Sequence, residues 1–142
     1  MAAAKKPMHA QGTKLSYTIG ETKHTIANIS SIGEIAQTSE EVDVTTLDSE
    51  GGYREYMQGM RDSGEVELTG YHDAGDAGQK ALRSAYADGK IGTFQVDFPD
   101  GSRVEFSGFV KGHTIGAAEV DGAVGFGAVV RISGAVTVTE AV

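Results

Sequence analysis

Apolar and polar residues alternate along most of this chain, which constrains its fold more than any other feature. The alternation is clearest near the end, where apolar residues or glycine occupy every second position from Ala128 to Val138. A period of two places successive side chains on opposite faces of an extended strand. The same period, or a β-rich composition, marks the segments 13–19, 25–32, 41–46, 65–71, 94–98 and 104–110. We therefore expect about seven strands.

Turn residues separate these segments. The chain has 20 glycines among 142 residues but only two prolines, a balance that suits many short turns better than a helical bundle. The sequence Pro99-Asp100-Gly101 joins two alternating segments, and it combines a fixed φ, a residue that tolerates the bend and a glycine for positive φ. The segments 94–98 and 104–110 are thus predicted to be partner strands.

A single helix is predicted over about residues 76–88. Asp73 or Asp76 can cap its start, and Gly89 follows where a left-handed residue commonly ends a helix. Its apolar residues fall on one face, as expected for a helix that flanks a sheet. They are Ala81, Leu82, Ala85 and Tyr86.

Residues 46–64 show no clear period, and we predict a long loop there. Loops beyond about 12–15 residues are usually functional or disordered, and disordered segments are poor in aromatic side chains. Tyrosine and methionine are enriched in protein interfaces, so the loop is predicted to contact a neighbouring subunit. The alternative is that these side chains fold back on their own core. They are Tyr53, Tyr56, Met57 and Met60.

The sequence offers little for catalysis or metal binding. Cysteine is absent, and the four histidines have no local spacing that suits a metal pair. His72, Asp73 and Asp76 could bind a cation, but a capped turn explains them better. Residues 48–51 lack the carboxylate spacing of a calcium loop, and residues 122–127 precede a strand rather than a phosphate-binding helix. We expect no enzyme activity, no cofactor, no metal site and no catalytic residue.

Charge and hydropathy narrow the class further. The chain has twelve Lys and Arg and twenty Asp and Glu, which gives a formal net charge of −8. This charge argues against a protein that binds nucleic acid through its phosphates. No apolar run approaches the ~20 residues of a membrane span, so no membrane partner is expected, and residues 1–11 do not form a secretory signal. We predict a flexible N-terminal arm over 1–12 and a single β domain over 13–142.

The order of several short motifs resembles the tail tube, or major tail, proteins of long-tailed, non-contractile bacteriophages. The likeness covers about residues 13–138. A Thr-Thr-x-Asp-Ser segment leads through an aromatic, glycine-rich loop to Asp-x-Gly, a strand, a Gln-x-x-Leu helix and Phe-Pro-Asp-Gly. In this chain the matching residues are Thr45, Thr46, Asp48, Ser49, Tyr53, Gly59, Asp62, Gly64, Gln79, Leu82 and Phe98 to Gly101, followed by Phe106 to Val110.

The resemblance implies a mainly β fold, a two-sheet β-sandwich or flattened barrel with one flanking helix. It also implies hexameric rings that stack into the tube of a virion tail assembled in the host bacterial cytoplasm. Other partners would be the tape measure, tip and terminator proteins, with DNA passing through the lumen without specific binding. Asp48 joins the predicted subunit contact. Glu65 and Glu67 are candidates for a negatively charged lumen, because they alternate with the apolar Val66 and Leu68.

Two alternative functions are considered. One is a β-sandwich module that binds carbohydrate or a host surface, although the chain has no tryptophan for stacking on sugars. The other is the tube protein of a contractile tail or secretion system, which shares a similar fold.

Overall fold

The computed structural model describes residues 9–116, 120 and 122–140. Within them lie nine strands, one α-helix and one short 3₁₀ turn, which confirms the mainly β class with a single helix. The strands are β1 Lys14–Ile19, β2 Thr22–Ile26, β3 Ile29–Ile32, β4 Thr38–Asp43, β5 Tyr56–Asp62, β6 Glu65–Tyr71, β7 Gly92–Asp97, β8 Arg103–Ile115 and β9 Gly125–Thr139; the helix α1 is Ala77–Asp88, and the 3₁₀ turn is Glu50–Gly52.

Seven strands form one antiparallel sheet in the order β2-β1-β7-β8-β9-β6-β3. Its apolar residues share one face, which we call the inner face, and its polar residues share the other, the outer face. Rings from three adjacent strands pack on the inner face: the Tyr17 and Phe94 centroids are 4.6 Å apart, and those of Phe94 and Phe106 are 5.5 Å apart. The predicted alternation thus separates the residues that face the core from those that face solvent.

The sheet is curled into a half-barrel, and its edge strands show why. β2 and β3 lie at opposite edges of the sheet, yet only Ala27 and Asn28 separate them in sequence. Three residue steps span at most about 11 Å, so the two edges must meet at this corner. The sequence predicted one continuous β segment over 25–32; it is broken at Asn28, whose φ of 62° is left-handed.

The helix closes the half-barrel on its inner face. The Asp76 carboxylate accepts a hydrogen bond from the Gln79 N–H at 3.0 Å and caps the helix as predicted, while Gly89 is left-handed at the other end. Leu82 and Ala85 are buried in the core, and the Tyr86 ring meets His113 edge-on at 5.0 Å. The helix therefore packs against the end of β8 that contains His113.

The remaining strands, β4 and β5, pair with each other in a separate two-stranded sheet. The strand expected over 41–46 lies earlier, at Thr38–Asp43. The long loop predicted over 46–64 is wrong in part, because Tyr56–Asp62 form β5. Neither strand of this unit, which we call the projecting hairpin (residues 38–62), packs extensively on another element of the described chain. The smaller sheet thus extends away from the half-barrel.

Two further predictions concern the N-terminal arm and the membrane. Residues 1–8 of the predicted arm lie outside the described residues; of the rest, the Ala10 carbonyl accepts a hydrogen bond from the Thr13 N–H at 3.0 Å and closes a turn. No helix in the part of the chain that the structure describes is long and apolar enough to cross a membrane.

Candidate interaction surface

The projecting hairpin exposes large apolar side chains on both of its faces. Val42 lies directly opposite Met57, and Val44 follows two residues later on the same face. Tyr56 lies on the other face, because it is adjacent to Met57 on the same strand. A β-bulge lies between Gln58 and Arg61, so this alternation does not extend to Met60. About half of Met57 and three quarters of Met60 are exposed (55% and 77%). Neither face is covered by the chain's own core.

Polar contacts order the tip of the hairpin. The Thr45 hydroxyl accepts a hydrogen bond from the Glu55 N–H at 2.8 Å, and the Ser49 hydroxyl accepts one from the Thr46 N–H at 3.0 Å. Ser49 also donates to the Glu55 carboxylate at 3.2 Å. Hydrogen bonds from Thr45 hold the pKa of the Asp43 carboxyl below its usual value. The Thr-Thr-x-Asp-Ser motif thus shapes the tip.

The base of the hairpin is fixed to the half-barrel. The Ser63 hydroxyl donates to the Gly134 carbonyl at 2.5 Å, and the Ile132 N–H donates to the Gly64 carbonyl at 3.0 Å. Arg131 donates to both carboxylate oxygens of Asp62, at 2.9 and 2.8 Å. Gly64 has φ of 77°, and a Cβ there would lie 2.8 Å from the Ala36 carbonyl oxygen. The hairpin therefore leaves the half-barrel at a fixed base.

The hairpin also holds most of the net negative charge of the chain. It contains seven carboxylates and two arginines, a net −5 of the formal −8. Exposed apolar and acidic side chains are thus mixed on one protruding element. The acidic residues are Glu40, Glu41, Asp43, Asp48, Glu50, Glu55 and Asp62.

The structure brings all five predicted contact residues onto the projecting hairpin. Asp48 and Tyr53 lie in its tip, and Tyr56, Met57 and Met60 lie on β5. All five side chains are exposed, and their role in subunit contact stays a prediction. Sequence reasoning missed the exposed Val42, Val44 and Leu47 as members of the same surface. The signal that could have identified them is the acidic residues Glu41 and Asp43 beside the two valines, which are unusual in a buried strand.

The two lumen candidates occupy the outer face of β6, as the alternation predicted. Glu65 and Glu67 are exposed, whereas Val66 between them is fully buried. The Glu65 carboxylate accepts a hydrogen bond from the Lys111 ammonium at 2.6 Å, which is the main reason why its pKa lies below the usual value. Whether either residue faces a lumen stays a prediction.

The charge on the outer face is balanced rather than strongly negative. Arg103 lies within 4 Å of both Asp97 and Glu105, in addition to the pairs of Glu65 with Lys111 and Asp62 with Arg131. Hydrogen bonds from the Gly64 N–H and from Arg131 also lower the pKa of Asp62. Among the described residues, Glu67 has no such ion pair. Across the described positions, no three His, Asp or Glu side chains gather as a metal site.

The sequence and the fold are both similar to those of known proteins. The sequence profile described as lambda phage tail tube protein matches residues 8–139. The structure is similar to the tail of an empty gene transfer agent particle refined with C6 symmetry, with 25% identity and a TM-score of 0.75, over 94% of this chain and 100% of the other. No individually curated protein matches the sequence.

Two other solved structures share the fold at lower identity. The SPP1 tail tube is 21% identical with a TM-score of 0.70, over 95% of this chain and 81% of the other. The sheath-tube complex of an extracellular contractile injection system is 11% identical with a TM-score of 0.70, over 96% and 93%.

Proposed function

This chain belongs to the lambda phage tail tube protein family, and we propose from that premise how its copies build the tube. It is a structural subunit of a virion tail tube. We infer that six copies close into a ring and that rings stack around a channel, as the sixfold tail of the related particle suggests. Because the chain belongs to this family, we prefer the tail tube to the alternative of a carbohydrate-binding module.

The projecting hairpin is the observation that best supports assembly. A two-stranded hairpin is at best marginally stable by itself in water, and this one exposes apolar side chains on both faces. Its Val42–Met57 face and the opposite face, which holds Tyr56, are both open to a neighbouring molecule. Stacked subunits would supply that cover, so the hairpin is proposed as the principal contact between copies.

We propose that the outer face of β6 lines the channel. Duplex DNA carries a high density of negative charge, so an unpaired carboxylate repels it. A carboxylate paired with a lysine or arginine has no net charge and neither repels nor attracts DNA strongly. Glu67 would supply this repulsion, because the charge of Glu65 is compensated by Lys111. DNA would then pass without being held.

The remaining partners follow from the same premise. We propose contacts with the tape measure protein inside the tube and with tip and terminator proteins at its ends. Assembly in the cytoplasm of the host bacterium and a role without any catalytic step belong to the same proposal.

Electron microscopy of the purified protein at rising concentration tests this function. We expect rings, and then tubes, with a central hole wide enough for duplex DNA. A matched sample of Glu67→Gln should form the same tubes, because this substitution changes the wall and not the hairpin. Dispersed monomers at every concentration would contradict self-assembly.

A further inference from the structure

We propose that an apolar groove in the half-barrel receives the projecting hairpin of a second copy. This inference rests on the proposed stacking and adds to it the surface that accepts the hairpin. The groove has a volume of about 840 Å³. It lies between the segment 29–37 and the ends of β7, β8 and β9, and the apolar residues that line it include Ile29, Ile32, Ile35, Val96, Val104 and Val138.

The helix covers only part of the sheet, and no residue of α1 lines the groove. Thirteen residues of β8 extend about 43 Å, whereas twelve residues of α1 extend about 18 Å. The helix packs near His113, so the opposite end of β8, at Val104, has no helix above it. Val104 pairs with Val138, which points to the same inner face and is 67% exposed. The apolar inner face of the sheet is therefore exposed to solvent at this end.

The chain's own hairpin does not fill this groove. No residue of β4 or β5 lines it, although residues 33–37 on its rim lead directly into β4 at Thr38. The hairpin thus starts at the rim of its own groove and extends away. A copy displaced along the same direction would bring its groove to this hairpin, and every copy would offer one hairpin and one groove.

The hairpin has a surface that suits the groove. Val42, Val44 and Met57 form a continuous apolar patch, and Met57 adapts well to irregular cavities because its side chain is flexible. β3, one wall of the groove, is an edge strand of the sheet, and an incoming strand can pair with such an edge. Apolar burial and strand pairing therefore favour the same occupant.

The N-terminal segment 1–8 is the competing occupant, since Ala10 and Gln11 lie on the groove rim. That segment has only alanine, proline and methionine as apolar residues, together with Lys5 and Lys6. It lacks the large β-branched side chains that the hairpin presents, and burying two lysines in an apolar groove is costly. The hairpin of a second copy is thus the better match.

Because the chain has no cysteine, pairs of introduced cysteines can test this docking. Met57→Cys chains are mixed with Val138→Cys chains, assembled, and treated with a flexible bismaleimide cross-linker. Both positions are exposed, so both variants should fold, and circular dichroism verifies it. We expect covalent dimers in assembled samples and at least tenfold fewer before assembly. Ile35→Cys provides a second groove position, and Ile91→Cys, an exposed apolar site outside the groove, is the matched control.

The outcomes separate this inference from the proposed function. Tubes that form normally without cross-links from Met57 to Val138 or Ile35 would overturn the groove as the docking site. Cross-links from Ala4→Cys to Val138→Cys in place of those from Met57 would assign the groove to the N-terminal segment and overturn the hairpin as occupant. Absence of tubes from the unmodified protein would overturn the proposed function, and with it this inference.

Discussion

At the scale of single residues, the side chain of Gln79 forms hydrogen bonds with the backbone of three residues in two separate segments. It is fully buried, donates to the carbonyls of Ala27 and Tyr71 at 3.2 and 2.9 Å, and accepts from the Asp73 N–H at 2.9 Å. These bonds hold the corner where the two edges of the half-barrel meet. The Gln-x-x-Leu motif therefore has a structural reason.

Replacing Gln79 with methionine keeps the volume but leaves these backbone groups without partners. We expect the free energy of unfolding to fall by about 2–3 kcal/mol, since an unsatisfied buried polar group costs about 1–3 kcal/mol. Urea denaturation measures this change. Gln79→Glu should also destabilise the protein, because a carboxylate cannot donate to the two carbonyls. A loss below about 0.5 kcal/mol in both variants would contradict the role of these bonds.

The Glu65–Lys111 pair predicts a pH dependence. The folded-state pKa of Glu65 is lowered mainly by the hydrogen bond from Lys111, so the pair stabilises the fold above the unfolded pKa of about 4.3. This stabilisation is lost as the pH falls through the folded pKa. Lys111→Met should therefore be less stable than the parent at pH 7, and the difference should vanish in acid. Lys80→Met is the control, and an equal difference at pH 7 and in acid would refute the assignment.

At the scale of elements, the projecting hairpin should be separable from the half-barrel. Replacing residues 44–55 with Asn-Gly joins the paired residues Asp43 and Tyr56 through a two-residue turn that suits antiparallel strands. We expect the thermal midpoint to change little, because the hydrogen bonds of the described tip residues stay within the hairpin, while tubes are lost. Scanning calorimetry and electron microscopy measure the two effects.

A milder pair of variants serves as control for that truncation. Met57→Ser and Val42→Ser each remove one side chain of the apolar patch but keep the tip, whereas Thr22→Ser on β2 alters an exposed strand residue outside the hairpin. Normal tubes from the truncated chain would show that the hairpin tip is not a subunit contact.

At the scale of the whole molecule, charge should oppose association. Each chain has a formal charge of −8, of which −5 lies on the element proposed to enter a neighbour. Salt screens such repulsion, with a Debye length of about 10 Å at 0.1 M. We expect assembly followed by light scattering to be faster at about 0.3 M than at about 0.02 M NaCl. The double variant Glu40→Gln, Glu41→Gln should depend less on salt, and slower assembly at high salt would reveal dominant attraction between opposite charges.

The sequence by itself determined the features that depend on local conformation. Period-two alternation identified β1, β6, β7, β8 and β9 of the half-barrel, because each has one buried face. Asp76 and Gly89 delimited the helix, and Phe98 to Gly101 identified a turn. The exposed Tyr and Met residues of the hairpin were also found, because their type is unusual in a loop.

Only the tertiary structure decided what depends on distant contacts. The separation of β2 from β3 to opposite edges follows from the left-handed Asn28 and from the contacts of Gln79 with the corner. β5 was missed because both faces of the hairpin are exposed in one chain, so its apolar residues have no single face to follow. The groove depends on where α1 packs on the sheet, which no local pattern contains.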